Sequence, residues 1–451
     1  MNWAEGIAAV GAVRQLLVAA LLTAFAAAAH ANALDTFGVG ARGEAMAGAQ
    51  TADASGWAAA MENPAGVART ASVEAAVGYG YGVTRLQIST GGDGGNGRGS
   101  GGDSGVTTPR GTTIGLAVPI PLGALQAAFA VALYLPDQFI ARVQLVPVAE
   151  PHFILLDNNL QHIVVTPALA LRPWRWLSFG LGATLLADAA GNGITFDVGA
   201  SGGEKVGRAA LDVSLPIRAA PVAGVLVEPI PGLRLGATYR GEIDLKLKLD
   251  ILANVDVAGA VKGDVLISLR AINFYTPARF TLGAAWDVLP SLTLAADLAF
   301  VRWSGFAGGT PDLAVLIHLG ITPSLAQAFF SPDRFHDTLA PRIGGEYRRA
   351  VGGHVTLAAR AGYAFERSPV PDQTGLTSFA DNDRHIIAVG GGVALDHVTS
   401  LLAKPLKLDL ALQWQELQPR TTLKDPRYFP GAGLASSGRI IHLAATMEAR
   451  F

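Results

Sequence analysis

From Leu233 to Asp250 the chain alternates, with few breaks, between two kinds of residue. Leu233, Leu235, Ala237, Tyr239, Ile243, Leu245, Leu247 and Leu249 interleave with Arg234, Thr238, Arg240, Glu242, Asp244, Lys246, Lys248 and Asp250. A helix would spread those charges over every side, so a period of two means a sheet whose faces meet different media. The pattern returns at Val355, Leu357, Ala359, Ala361, Tyr363 and Phe365, and again at Leu406, Leu408, Leu410, Leu412 and Trp414. Marked along the whole chain it gives about fourteen strands of about 9–17 residues, a length that suits tilted membrane-crossing strands. They are expected to begin near residues 72, 111, 124, 161, 176, 215, 232, 276, 291, 338, 353, 384, 405 and 438.

The connections alternate in length. Short turns are expected at 119–123, 172–175, 228–232, 288–291 and 349–353, and long segments at 88–110, 135–160, 189–212, 250–275, 304–337, 367–383 and 418–437. An even-stranded barrel with both termini in the periplasm requires that alternation, and a soluble β-sandwich has no reason for it. The fold class read from the residues is therefore all-β, a transmembrane antiparallel barrel. Half of the 451 residues are apolar and 16% are charged, with a mean hydropathy of +0.35, so part of the surface is expected to face lipid. The net charge is −2 and no basic stripe is present, which excludes nucleic acid as a partner.

Three regions stand outside this plain pattern. Arg14 is followed by QLLVAALLTAFAAAAHA, an apolar run ending in Ala29-His30-Ala31, so residues 1–31 are expected to be a secretory signal. The chain has no cysteine, so an exported protein of this size folds without disulfides. The stretch 114–136 carries no charge and reads as a membrane helix by hydropathy, but Pro119, Pro121 and Gly123 at its centre predict two apolar strands joined by a tight turn. Finally ADASGWAAAMENPAGVAR, residues 52–69, is too rich in Ala and Gly for a strand, and Asn63-Pro64-Ala65-Gly66 stops any helix before it.

Two motifs that suggest chemistry lack their context. Gly38, Gly40 and Gly43 match a dinucleotide fingerprint, yet no βαβ unit surrounds them. Gly199-Ala200-Ser201-Gly202-Gly203 matches a nucleophile elbow but lies in an expected outer loop. The nine histidines have no paired ligand spacing, so neither metal nor cofactor is expected. On the late strands Arg342, Glu346 and Arg348 share one face while Ile343 and Tyr347 share the other, and Arg360 and Glu366 follow. These are candidates for a lumen ion-pair network, or for an arginine that takes the carboxylate of an amphipathic ligand.

Four stretches resemble FadL/TodX-type outer-membrane transporters of long-chain fatty acids and aromatic hydrocarbons. They are GVGARGEAMAGAQTADASGWAAAMENPAGVA near the start, YTPARFTLGAAW at 275–286, ADLAFVRWSGF at 296–306, and RAGYAFERSPVPDQTG with FADNDRHIIAVGGG across 360–392. The resemblance implies that residues 32–71 fold into the lumen as a plug, or hatch, including Phe37, Gly38, Gly40, Gly43, Asn63, Pro64, Ala65 and Gly66, with residues 72–451 as the barrel. It implies passive transport of hydrophobic small molecules or lipids, captured among outer loops where Val315, Leu316, Leu319, Leu325, Phe329 and Phe330 would form an apolar groove. It also gives the C-terminal Phe451, in register with Leu443 and Met447, the look of a signal for the barrel-assembly machinery. A water-filled porin and a surface receptor are the alternatives, and no nucleophile and base are arranged for an enzyme.

Overall fold

The computed structural model describes residues 25–26, 33–91, 106, 108–123, 125–137, 146–147, 150–156, 162–187, 190–201, 204–214, 217–257, 261–306, 312–318, 324–328, 334–375, 377–397, 404–427 and 433–451. Fourteen strands close into one antiparallel barrel. In chain order they are β1 (Glu74–Gly91), β2 (Arg110–Leu122), β3 (Leu125–Pro136), β4 (Val164–Trp174), β5 (Leu177–Ala187), β6 (Ile217–Ile230) and β7 (Leu233–Arg240). The circuit continues with β8 (Ala278–Leu289), β9 (Leu292–Arg302), β10 (Thr338–Ala350), β11 (Val355–Glu366), β12 (Arg384–Leu395), β13 (Leu406–Leu423) and β14 (Gly433–Arg450), and β14 pairs back onto β1 from Glu74↔Arg450 to Gly91↔Gly433. Closure leaves no free sheet edge, which a lipid environment would not tolerate.

The two faces differ as the alternation demands. Leu181, Leu282, Ile343, Leu410 and Leu443 point outward and are exposed, while their neighbours Thr184, Thr281, Arg342, Asp409 and His442 are buried or nearly so inside. Trp174, Trp176 and Trp286 stand exposed at the end of the barrel where the chain enters and leaves, the position of an interfacial aromatic girdle. Short turns join strands at that end. Gly123 and Gly232 have φ of +63° and +83° there, a conformation open to glycine at no steric cost.

Residues 114–136 form a strand pair, and among the described residues no helix is long and apolar enough to cross a membrane. The turn is smaller than 119–123, however: Pro119 and Pro121 lie within β2, paired with Ala128 and Gln126 of β3. On the other side β1 reaches only as far as Glu74↔Ala117, so the prolines sit beyond its start, where no ladder on that side needs their missing N–H.

The run from 233 to 250 is not one strand. β7 ends at Arg240, the Gly241 N–H donates to the Pro221 carbonyl (2.8 Å), and Ile243–Val257 leaves the barrel wall. It joins a six-stranded sheet made from the outer connections, ordered Glu204–Ser214, Ala190–Ser201, Ile243–Val257, Val261–Thr276, Asp312–His318 and Ser324–Ala328. The long segments expected at 189–212 and 250–275 are thus largely paired strands, and the one expected at 304–337 contributes Asp312–His318 and Ser324–Ala328, because alternation serves a sheet outside the membrane as well as one within it. Ser201 ends one of these strands rather than sitting on a strand-to-helix elbow. β14 also begins earlier than expected, at Gly433 rather than near 438.

Candidate functional site

The segment before β1 occupies the lumen. It forms three short helices, α1 (Ala33–Phe37), α2 (Gly40–Ala45) and α3 (Ala59–Glu62), with 3₁₀ turns at Gly56–Ala58 and Pro64–Arg69. Ala41, Ala45, Ala49, Ala59, Ala60, Ala65 and Val67 are fully buried. Phe37 stacks on His442 of β14 with ring centroids 4.0 Å apart and planes 8° from parallel, and the His442 Nδ1 lies 2.8 Å from Glu44 of α2. Asn63 fixes the second 3₁₀ turn: its side-chain oxygen accepts the Ala65 N–H, and Pro64 occupies the first position, where no N–H is needed. The Asn63 amide nitrogen also donates to the carbonyls of Thr51 (2.7 Å) and Val225 (3.2 Å), tying two parts of the plug to β6.

The wall is thinned to receive this segment. A Cβ on Gly180 would strike Pro64 and Ala65, one on Gly224 would strike Asn63, and one on Gly236 would lie 2.5 Å from the Thr51 carbonyl. Further round, a Cβ on Gly344 would lie 2.8 Å from the Met46 carbonyl, and one on Gly362 would meet the Met46–Ala47 peptide. These glycines sit in strand interiors, where they weaken a sheet, so backbone approach accounts for them. Of the plug residues singled out by sequence, Gly38 (φ +105°) and Gly40 (φ +66°) need their conformation, and Gly66 needs its lack of a side chain against Ala54. Gly43 has open space, with only Gln50 at 3.8 Å from a built Cβ.

Charges close the seam. Arg42 pairs with Asp53 of the plug and with Glu346 of β10 (3.0 Å). Glu346 also takes Arg360 of β11 at 2.5 Å, and Arg360 reaches Asp409 of β13 at 2.6 Å. Asp53 is shared with Arg234 of β7 (2.9 Å), which reaches Asp287 at 2.7 Å. Asp297 of β9 accepts the N–H groups of Gln50 and Thr51, both at 2.9 Å, and Arg240 binds Asp35 and the Met61 carbonyl. The four lumen candidates therefore fall into two groups. Glu346, Arg360 and, more loosely, Arg348 (3.5 Å from Glu346) belong to the plug seam, whereas Arg342 pairs with Glu366 (3.2 Å), which also holds Arg384. Sequence reading missed Arg42, Asp53, Arg234 and Asp297. Asp297 was visible as a lone carboxylate on the inward face of the apolar run ADLAFV.

Between α1 and the wall remains a void of about 30 Å³, bordered by Leu34, Phe37, Met61, Arg240, Arg279 and Arg342, with room for a water or two and no larger molecule. On the side of the termini a polar vestibule of about 490 Å³ is lined by Arg42, Asp53, Arg234, Glu346, Arg360 and Lys407. The first of these spaces is too small for a passenger and the second is lined by charges.

The opposite end is capped by loops packed on an aromatic cluster. Tyr275, Trp303, Phe306, Phe335 and Phe379 form a buried aromatic cluster, with Phe306 and Phe335 centroids 4.9 Å apart and Tyr275 and Phe306 5.2 Å apart. His152–Phe153 and Phe379–Ala380 pair as two short parallel strands that join distant loops. The Gln373 side chain bonds both backbone groups of Phe379, and Asn382 donates to the carbonyls of Gln418 (2.7 Å) and Ser436 (2.9 Å). Of the expected capture groove, Leu319, Phe329 and Phe330 lie outside the described residues. Val315, Leu316 and Leu325 lie on paired strands of the outer sheet, with Leu316 opposite Leu325.

Residues 18–418 match the family model for outer membrane protein transport proteins (OMPP1/FadL/TodX). A shorter likeness, 37% identity over 87 residues, links the chain to alkane uptake protein A of Marinobacter nauticus; the match spans less than a fifth of that relative's length, 18%, and 19% of this chain. Among solved structures, a FadL homologue from Pseudomonas aeruginosa superposes with a TM-score of 0.53 at 17% identity, covering 91% of this chain and 97% of that one. The Pseudomonas putida toluene transporter TodX gives 0.53 at 17% identity, with 92% and 99% covered. These superpositions speak to the fold, and the family match to descent. The chain belongs to the OMPP1/FadL/TodX family, and it is an outer-membrane β-barrel that transports hydrophobic compounds rather than an enzyme.

Proposed function

We propose that this barrel carries uncharged hydrocarbons, aliphatic or aromatic, passively inward, and that residues 32–71 act as the movable plug of the pathway after removal of a signal ending at Ala31. The observation that carries the choice of substrate is the state of the lumen arginines. Arg342 and Arg360 are already engaged by Glu366, Glu346 and Asp409, so a ligand carboxylate would have to displace a protein carboxylate from a buried pair. An uncharged passenger faces no such competition. The named substrates of the relatives, alkane and toluene, are of this class. The aromatic cluster at the outer end, together with Val315, Leu316, Leu319, Leu325, Phe329 and Phe330, would receive it, and Phe451 would serve recognition by the assembly machinery.

One observation favours a second substrate class. Arg279, beside Leu34, Phe37 and Met61 at the lumen void, has its nearest carboxylate oxygen, from Asp35, only at 4.0 Å. A fatty acid would place its carboxylate there. Binding of labelled hexadecane and labelled palmitate to the purified barrel separates the two readings. Saturable hexadecane binding that is unchanged in Arg279→Gln and Arg342→Ala supports hydrocarbon transport. Saturable binding of palmitate alone, lost in Arg279→Gln, would replace it with fatty-acid transport.

A further inference from the structure

On the lipid face of β1, β13 and β14 the apolar band ends along a single line. Outward positions run Val77, Tyr79, Tyr81 and Val83 on β1, Met447, Leu443 and Ile441 on β14, and Leu408, Leu410, Leu412 and Trp414 on β13. The next outward position on each strand, away from the termini, is charged: Arg85, Arg439 and Glu416. From Ala75 to Arg85 the chain climbs about 33 Å at about 3.3 Å per residue, or about 25 Å along the membrane normal once strand tilt is included, the height of the apolar band of such barrels. The charged line therefore lies at the level of the outer headgroups.

Arg85 and Arg439 are direct cross-strand partners on that face. Like charges placed opposite each other destabilise a sheet. Among the described residues neither guanidinium forms an ion pair. A nearby outward arginine behaves otherwise: Arg110 Nε lies 2.7 Å from Asp137, which also accepts the Tyr79 hydroxyl at 2.7 Å. Glu416, across from Arg439 on β13, accepts the Trp414 indole N–H at 3.0 Å and can offset only one of the two positive charges. Arg439 is held in place by stacking 5.3 Å over the Trp414 ring.

Two guanidiniums, one of them oriented by an indole, face the headgroup layer with a surplus positive charge. We propose that Arg85 and Arg439 form a clamp for a phosphate of a phosphorylated glycolipid in the outer leaflet. The fork of an arginine matches phosphate oxygens two at a time, so a pair of them can hold one monoester and relieve their own repulsion. The acyl chains of that lipid would lie along Val83, Ile441 and Leu443 below.

The test uses the full chain in detergent, with lipid retention read by native mass spectrometry and affinity by titration of diphosphoryl lipid A in mixed micelles. Diphosphoryl lipid A should bind at one per barrel, and Arg85→Gln/Arg439→Gln should weaken it about tenfold, while Glu416→Gln tightens it a few-fold. Heat-modifiable gel mobility reports that each variant is folded. Three results overturn the clamp: unchanged affinity in the folded double variant, equal binding of dephosphorylated lipid A, or competition by inorganic phosphate at the same concentration as the lipid, which would make the site one for free anions.

Discussion

In the half of the lumen nearer the termini, Asp53, Glu346 and Asp297 hold the plug through arginines and backbone N–H groups, and the wall is stripped to glycine where the plug touches it. At the outer end Tyr275, Trp303, Phe306, Phe335 and Phe379 shut the mouth by apolar packing, and polar contacts serve mainly to pin the loops. The difference maps onto the task. A greasy molecule can enter an aromatic cluster by exchanging one apolar contact for another. It gains nothing from a seam of buried ion pairs, where breaking one pair leaves an uncompensated charge. On the function proposed above, the outer end would admit the passenger and the inner seam would withhold passage until the plug shifts.

The largest effect on this contrast should come from Asp53→Asn. It removes the shared partner of Arg42 and Arg234 and leaves Arg42 only Glu346 and Arg234 only Asp287, so the cost falls below the roughly 3–5 kcal/mol of a fully unpaired buried charge but lands on the two contacts that tie Asp53 into the seam. The barrel strands are untouched, so the expected outcome is a folded barrel with a loosened plug: ion conductance through planar bilayers rises well above the wild-type level. Conductance equal to wild type would mean that the glycine-seated backbone contacts, and not the charges, hold the seam.

A smaller and different effect is expected at the cap. Phe335 is buried and touches Trp303, Phe306 and Phe379, so Phe335→Ala opens a cavity that costs about 3 kcal/mol locally. Because the plug seam is independent of it, conductance should stay low while hydrocarbon binding falls about tenfold. If Phe335→Ala raised conductance as Asp53→Asn does, the two closures would be one coupled structure rather than two.

The two regions were not equally legible. Strand number and the turn ends followed from alternation, and Asn63-Pro64-Ala65 marked a compact segment that is neither strand nor long helix, because period-two patterning and helix stops are local in sequence; the place of that segment in the lumen came only from the family resemblance. The partners of the plug were not legible, since Asp53 meets Arg234 and Asn63 meets Val225 across more than 150 residues. Besides the lone carboxylate Asp297, Gly180, Gly224, Gly236 and Gly344 carried a local hint, as glycines inside strands without a bulge to explain them. At the outer end, alternation misled: Ile243–Val257 has the pattern of a wall strand and lies in the outer sheet, because periodicity reports two unlike faces and not what covers them.

The finest distinction within the cap is its response to pH, carried by two neighbouring buried groups of opposite sign. Burial pushes the Asp381 carboxyl up to about 6, despite Arg384 and Arg420 nearby, and pushes the His152 imidazole down to about 4. Asp381 binds its proton more tightly folded than unfolded, so its contribution to cap stability is present below pH about 4 and is lost as pH rises to about 6. His152 is the reverse: the unfolded imidazole takes a proton first, so its contribution is present above pH about 6.5 and is lost as pH falls toward about 4. The two slopes oppose each other over one window, each worth on the order of 2–3 kcal/mol in full, and the wild-type cap should change by less than about 1 kcal/mol between pH 4 and 6.5. Hydrogen exchange in segments 150–156 and 378–382, corrected for intrinsic rates, reads this directly. In Asp381→Asn, protection should rise as pH is raised from 4 to 6.5; in His152→Phe, it should fall. Flat profiles in both variants would mean that the cap opens without exposing either group, and that its stability rests on the aromatic cluster alone.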